Sequence, residues 1–195
     1  MRQRWSRMVE VLADASLYEY TGGEAPSLEQ LQRRYVAQVV GHSENHLQGW
    51  LNWIVRPING GALMGFVQAT LERKASELLA NIAWVISPIH QGHGVASEAT
   101  KAMALWLQFK GVNCLQAYVH PEHQASMGVA RKQSLHPTNL TDGIEILWES
   151  WQASNDRSAF RFRSWLNGPV PFGVVSVDAR PTKGARTWYS LGWQV

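Results

Sequence analysis

The sequence predicts an α/β fold, a central mixed sheet with helices on both faces. Three observations predict it. "LLANIAWVIS" (residues 78–87) is an almost unbroken apolar run that ends at Pro88, which is how a central strand buried on both faces reads. "WLNWIVRP" and "ALMGFVQATLE" flank the Asn59-Gly60 turn signal, so they form an antiparallel hairpin before that strand. Segments of helical period precede and follow them, which calls for helices packed on a sheet.

Each element follows in order. Trp5, Met8, Val9 and Leu12 recur at helical spacing, so the chain opens in or near a helix. "YTGGEAPS" breaks that pattern. Ser27 then begins "SLEQ", a capping box with Gln30 three residues on. Leu28, Leu31, Tyr35 and Val39 carry the stripe to Gly41. After the polar loop "GHSENHLQG" come the hairpin and the apolar run. Val95, Ala99, Ala102, Met103, Trp106 and Phe109 form a long helical stripe that Gly111 stops. "VNCLQAYVH" is a second buried strand, "PEHQASMGVARKQ" a short helix with Pro121 in its first turn, and "GIEILWES" a last strand. No repeat of solenoid period is present.

A chain of 195 residues suffices for one domain with a real core. The expected division is a domain over 1–151 and an extension over 152–195. No run reaches transmembrane length, and the basic N-terminus leads into no uninterrupted apolar core. Cys114 is the single cysteine. An internal disulfide is therefore excluded, a reducing cytoplasm is the expected location, and the thiol is expected on a buried strand face. The formal charge of +3 is uneven. Residues 1–151 hold 12 Lys/Arg against 13 Asp/Glu, a balance of −1, and residues 152–195 hold 6 against 2, a balance of +4. The basic pI comes from the extension, so the body gives no case for nucleic-acid binding.

The stretch "PIHQGHGVASEAT" (residues 88–100) carries the chemistry. A buried strand ends, a loop with Gly92 and Gly94 turns, and a long helix begins. Unpaired N–H groups collect at that helix N-terminus beside the positive end of its dipole. Glycines let an anion approach the backbone, so the place suits phosphate. No Gly-Lys-Ser/Thr is present, and the third glycine of the dinucleotide fingerprint is missing. The pattern Gln91-x-x-Gly94-x-Ala96 fits instead. With the strand before it, the helix after it and the hairpin upstream, the chain from about Trp5 to Trp151 resembles the GNAT superfamily of acetyl-CoA-dependent N-acyltransferases. "LYEYTGG", "WLNW", "AWVIS" and "HPEHQAS" read like the subgroup of ribosomal-protein and small-amine N-acetyltransferases.

The resemblance implies a GNAT-like fold in which two neighbouring strands splay. It implies that Trp84, Val85 and Ile86 line the pantetheine arm of acetyl-CoA. Gln91, Gly92, His93, Gly94, Val95 and Ala96 would hold its pyrophosphate, and His123 and Ser126 would reach the cofactor from the other side. The implied reaction is direct attack of a primary amine, on a peptide N-terminus or a small molecule, on the thioester. Departures accompany it. Where many relatives carry a Glu on the splayed strand this chain has Asn81, and where many carry a Tyr on the last helix it has Ala130. No catalytic base is assigned, with Glu77, Glu98, His120 and His123 as candidates. The family's first strand has no counterpart before the first helix, so the sheet is expected to lack that edge strand, and the family's "GF" after the last helix is Ser134-Leu135 here. The acceptor pocket is expected in loops 17–26 and 41–48, and a homodimer stays open.

Other readings stand beside this one. A GNAT-like body could bind coenzyme A without turnover, as a sensor. The extension could bind single strands through Trp165, Trp188 and Trp193 among Arg157, Arg161, Arg163, Arg180 and Arg186, or its segments 172–180 and 187–195 could pair as a hairpin over the sheet. His90/His93 and His120/His123 each form H-x-x-H, but no Cys or acidic residue completes a zinc set at a standard spacing, so no metal is expected. Trp50, Trp53, Trp84 and Trp106 either fill the core or line the acceptor pocket.

Overall fold

The computed structural model describes residues 2–58, 60–150 and 189–192. Its elements are α1 (Arg2–Val11), a 3-10 turn (Ala15–Tyr18), α2 (Leu28–Val40), β1 (Gln48–Pro57), β2 (Gly65–Lys74), β3 (Glu77–Ile86), a second 3-10 turn (Pro88–His90), α3 (Val95–Phe109), β4 (Cys114–Val119), α4 (Gln124–Lys132), β5 (Leu135–Asp142), β6 (Glu145–Ser150) and β7 (Tyr189–Gly192). The strands form one sheet in the order β5-β6-β4-β3-β2-β1-β7. Strand β3 lies at its centre, as its unbroken apolar run predicts. Its pairing with β4 is parallel and the other pairings are antiparallel, so the sheet is mixed.

Alternation along the strands divides the core in two. Trp53, Val55, Val67, Ile82, Leu115 and Ala117 face α3 and α4, where Val95, Ala99, Met103, Leu107, Met127 and Ala130 meet them. On the opposite face Met8, Leu12 and Leu31 of the α1–α2 layer pack against Ile54, Phe66 and Val85. The second layer is the smaller one, so less of that face is shielded. Local chemistry fixes its helix start. Ser27 Oγ accepts from the Gln30 N–H at 3.2 Å and the Gln30 side chain accepts from the Ser27 N–H at 2.7 Å, the predicted capping box. Gly41 at φ 77° closes α2.

The structure departs from the sequence reading in three places. The short helix starts at Gln124 with His123 as its N-cap, so Pro121 lies in the preceding turn. Strand β5 was not expected. It carries Pro137, is largely exposed and shifts register between Pro137 and Thr141, all features of an edge strand, where proline is tolerated and alternation is weak. The edge beyond β1, expected to lack a strand, pairs over Ile54–Pro57 with β7. Within the expected tail hairpin, segment 172–180 lies outside the described residues, as do Trp165, Trp188, Trp193 and the tail arginines. Asn59 of the predicted turn is likewise outside them. Among the described residues, no helix is long and apolar enough to cross a membrane.

Gly65 fixes the hairpin against β3. A Cβ there would sit 2.0 Å from the Val85 carbonyl oxygen and 2.9 Å from the Ile86 Cα. Only glycine lets the two backbones approach this closely.

Candidate functional site

The central strands separate. The β3–β4 ladder pairs Leu79–Cys114, Ala80–Leu115 and Asn81–Gln116 and then stops, although β3 runs on to Ile86 and β4 to Val119. A wedge opens between them. The direction of the backbone groups inside it follows from alternation. The Leu78 carbonyl accepts from the Asn113 N–H at 2.8 Å, and the Leu78 N–H donates to Asn113 Oδ1 at 2.9 Å. Leu78 therefore points toward β4. The β2–β3 register runs without a bulge from Lys74–Glu77 to Gly65–Ile86, so Ile82 and Trp84 point the same way. On β4, the Leu115 N–H bonds Ser150 Oγ on the β6 side, which turns Tyr118 toward β3. Beyond the last pair, the main-chain groups of Trp84 and Tyr118 face the wedge with no strand between them.

The loop that carries Gly92 and Gly94 lies at the wide end of this wedge. The Gln91 side chain folds back and its Nε2 donates to the Ile86 carbonyl at 2.8 Å. It satisfies a group that β4 would otherwise meet, and it clasps the loop to the strand. Gly92 and Gly94 sit at φ 75° and 83°, with open space where a Cβ would stand. Gly94 is the N-cap of α3 and offers no side-chain cap, so the first amides of this 15-residue helix depend on another acceptor. His93 is exposed, with Nδ1 2.6 Å from the Gln91 carbonyl oxygen. His90 turns inward, its Nε2 buried without a partner among the described residues. Val95 is buried and Ala96 half-buried, both packed on the α3 side.

Trp84 and Ile86 face the α3 layer and Val85 faces the α1–α2 layer, and all three lie on β3 beyond its last pair with β4. His123 and Ser126 begin α4, both half-buried. Tyr20, from the loop between α1 and α2, stacks on His123 with ring centroids 4.5 Å apart and planes 11° apart, and lies 5.2 Å from the His120 ring. Burial, and next the neighbouring His120, hold the His123 pKa below the usual histidine value, against the pull of Glu19. His120 Nδ1 accepts from the Glu122 N–H at 3.1 Å. That bond puts the ring proton of neutral His120 on Nε2 and leaves it no free lone pair. Glu77 begins β3 at the closed end of the sheet, away from the wedge. Glu98 stands in the first turn of α3, its carboxyl raised by burial.

Sequence reasoning missed the sheet face beneath α2. The register aligns Trp50, Thr70, Asn81, Gln116 and Glu149 in one row, with Asn52, Gln68 and Ala83 in the next. Of the four tryptophans weighed, Trp53, Trp84 and Trp106 belong to the α3 side, with Trp53 and Trp106 edge-to-face at 5.4 Å. Trp50 alone lines a groove on the other face. The period-two polar positions Asn52, Gln68 and Thr70 were the available signal. Glu149 Oε1 accepts from Gln116 Nε2 and Cys114 Sγ, and burial and that carboxylate push the Cys114 thiol up to about 12. Among the described residues, no group of three or more His, Cys, Asp or Glu is arranged to hold a metal ion.

The acetyltransferase (GNAT) domain model matches residues 3–136. No curated protein matches the sequence. Solved structures do. An acetyltransferase from Thermus thermophilus is 18% identical with a TM-score of 0.58, covering 76% of this chain and 91% of that one. The aminoglycoside acetyltransferase AAC(6')-Ib in complex with coenzyme A is 16% identical with a TM-score of 0.60, covering 77% and 90%. Spermidine N-acetyltransferase from Vibrio cholerae, in complex with coenzyme A and spermine, is 13% identical with a TM-score of 0.59, covering 76% and 89%. At these identities the likeness is one of fold.

Proposed function

The chain belongs to the acetyltransferase (GNAT) domain family, and from that premise we propose that it transfers an acetyl group from acetyl-CoA to a primary amine. The observation that carries the reading is the wedge with a glycine loop at its mouth: the β3–β4 ladder ends at Asn81–Gln116, and α3 begins on two left-handed glycines without a side-chain cap. Its two ends suit the two ends of the donor. The main-chain amides from Gly92 to Ala96 meet the diphosphate, supported by the helix dipole, and Gln91 holds the loop in place. Trp84, Val85 and Ile86 line the pantetheine arm, which takes up the hydrogen bonds β4 leaves unmade. Bound acetyl-CoA supplies the activated acyl group. The solved relatives that contain coenzyme A support this choice of donor.

The chain's own groups then act as follows. The Trp84 N–H donates to the thioester carbonyl oxygen as negative charge grows there. His123, kept neutral by its surroundings, accepts the proton from the amine as the C–N bond forms, directly or through a water, and returns it to the departing thiolate as the C–S bond breaks. Tyr20 holds the His123 ring by stacking, and Ser126 contacts the donor from the start of α4. The wedge positions donor and amine, which supplies much of the acceleration without covalent help.

One observation favours a second reading, a coenzyme A-binding protein without turnover. Asn81 and the fully buried Ala130 occupy the positions where the resemblance places a Glu and a Tyr. Incubating the full chain with acetyl-CoA and a panel of primary amines, with free thiol followed over time, separates the two. Thiol release that needs both protein and amine is expected. Coenzyme binding with no amine-dependent release would overturn the transferase reading in favour of the second.

A further inference from the structure

The face of the sheet covered by α2 holds a groove of about 260 Å³, lined by Arg34, Gln38, Trp50, Asn52, Gln68 and Thr70 among others. A second, smaller cavity shares Arg34, Gln38, Asn52 and Gln68 and reaches Leu12 and Phe66. Asn and Gln are poor strand residues, yet two of them face each other across β1 and β2 as the pair Asn52–Gln68. They are half-buried, as are Gln38 and Thr70. Arg34 stands exposed at the rim. Its neighbour Arg33 pairs with Glu29 at 3.6 Å, whereas Arg34 makes no ion pair among the described residues. No carboxylate lines either cavity. The nearest acid on that face, Glu72, accepts a hydrogen bond from the Gln48 side chain.

We propose that this groove binds an anionic group of the acceptor, a carboxylate or phosphate, with Arg34 as the charge that recognises it. A guanidinium and carboxamide donors form the set that suits an oxyanion able to accept two bonds side by side, as carboxylate and phosphate both do. A polycationic acceptor would meet a positive rim with no compensating carboxylate. The place of the groove also sets a length. It lies over β1 and β2, and the wedge opens between β3 and β4. Two strand spacings separate them, about 10 Å. An α-amino acid is too short to span that interval, and an extended tripeptide of roughly 10 Å spans it. The acceptor class is therefore an amine with its anion at the distance of a tripeptide C-terminus from its N-terminus. Reaction at that nitrogen rests on the acetyl-transfer reading above, whereas binding of the anion does not.

The test uses the full chain saturated with coenzyme A and titrates trialanine, trialanine amide and spermidine calorimetrically, in the original protein and in Arg34→Gln. Trialanine should bind at least tenfold more tightly than its amide and than spermidine. Arg34→Gln should erase that difference while coenzyme A affinity holds, which also establishes that the variant is folded. Equal binding of acid and amide, tighter binding of spermidine, loss of both peptides alike in the variant, or no peptide binding would each overturn the proposal. A thiol-release assay on the same amines keeps the two ideas apart. Arg34-dependent binding with no transfer to any amine leaves the groove standing and removes the transferase. Equal transfer to acid and amide does the reverse.

Discussion

The two sides of the wedge are built from different material. On the proposed donor side, Gly65, Trp84, Gly92 and Gly94 matter through their backbones: a close approach, a strand amide without a strand partner, and two left-handed turns. On the proposed acceptor side, Arg34, Asn52, Gln68, Tyr20 and His123 matter through their side chains. The difference explains how one fold keeps its donor while its acceptor changes. Backbone groups are the same whatever the sequence, provided no Cβ intrudes. Side chains can be exchanged without disturbing the ladder beneath them.

The comparison can be broken by adding a Cβ where the account says only backbone fits. Gly65→Ala should have the largest effect. The new methyl would overlap the Val85 carbonyl, a main-chain atom that cannot rotate away, so the β2–β3 ladder must part. Loss of several kcal/mol is expected, read as failure to fold or a large drop in the denaturation midpoint. A variant of near-original stability would show that the approach of the two strands is not as close as described.

A side-chain change on the acceptor side should instead leave the fold alone and move the pH profile. His123→Gln is expected to lower kcat at least tenfold and to remove an acidic limb of the pH–rate curve. Burial lowers the His123 pKa below its ordinary 6.5, so that limb lies below the usual histidine range. The same shift has a stability consequence. The neutral ring is favoured in the fold, so its contribution is full above the ordinary histidine pKa and is lost as pH falls through the depressed one. The variant should lose less stability than the original protein between neutral and mildly acid pH. An unchanged limb would remove His123 from proton transfer.

Smaller still is the effect expected at the base of α2. Ser27→Ala deletes one half of the capping box and should cost about 1 kcal/mol, measured by chemical denaturation. Coenzyme A affinity should not change. A fall in that affinity would mean that the α1–α2 layer and the donor loop are coupled, and the division between the two sides would fail.

How much of this was legible in the sequence follows the same division. The buried run of β3, the Ser27 box, and the glycine pair before α3 are local signals: a strand, a cap and a turn each depend on a few adjacent residues. The Gln91–Ala96 motif therefore marks the loop proposed to hold the donor, and the structure adds the clasp of Gln91 onto Ile86. The wedge has no local signal, because it is the absence of a pairing between β3 and β4. The stacking of Tyr20 on His123 joins residues far apart in the chain and could not be read from either. Strand β5 hid behind Pro137 and its exposure. The polar positions Asn52, Gln68 and Thr70 did stand at period two in a hairpin, but only the register reveals that they share one face with Arg34 above them.

The central claim is that main-chain amides at the head of α3 grip a diphosphate. Calorimetric titration of coenzyme A into the original protein, Gly94→Arg and Gly23→Arg tests it most directly. Gly23 also sits at positive φ, 86°, in open space, so its variant carries the same backbone strain away from the loop. Coenzyme A affinity should fall at least a hundredfold in Gly94→Arg and stay within twofold in Gly23→Arg. Unchanged affinity in a folded Gly94→Arg would contradict the account.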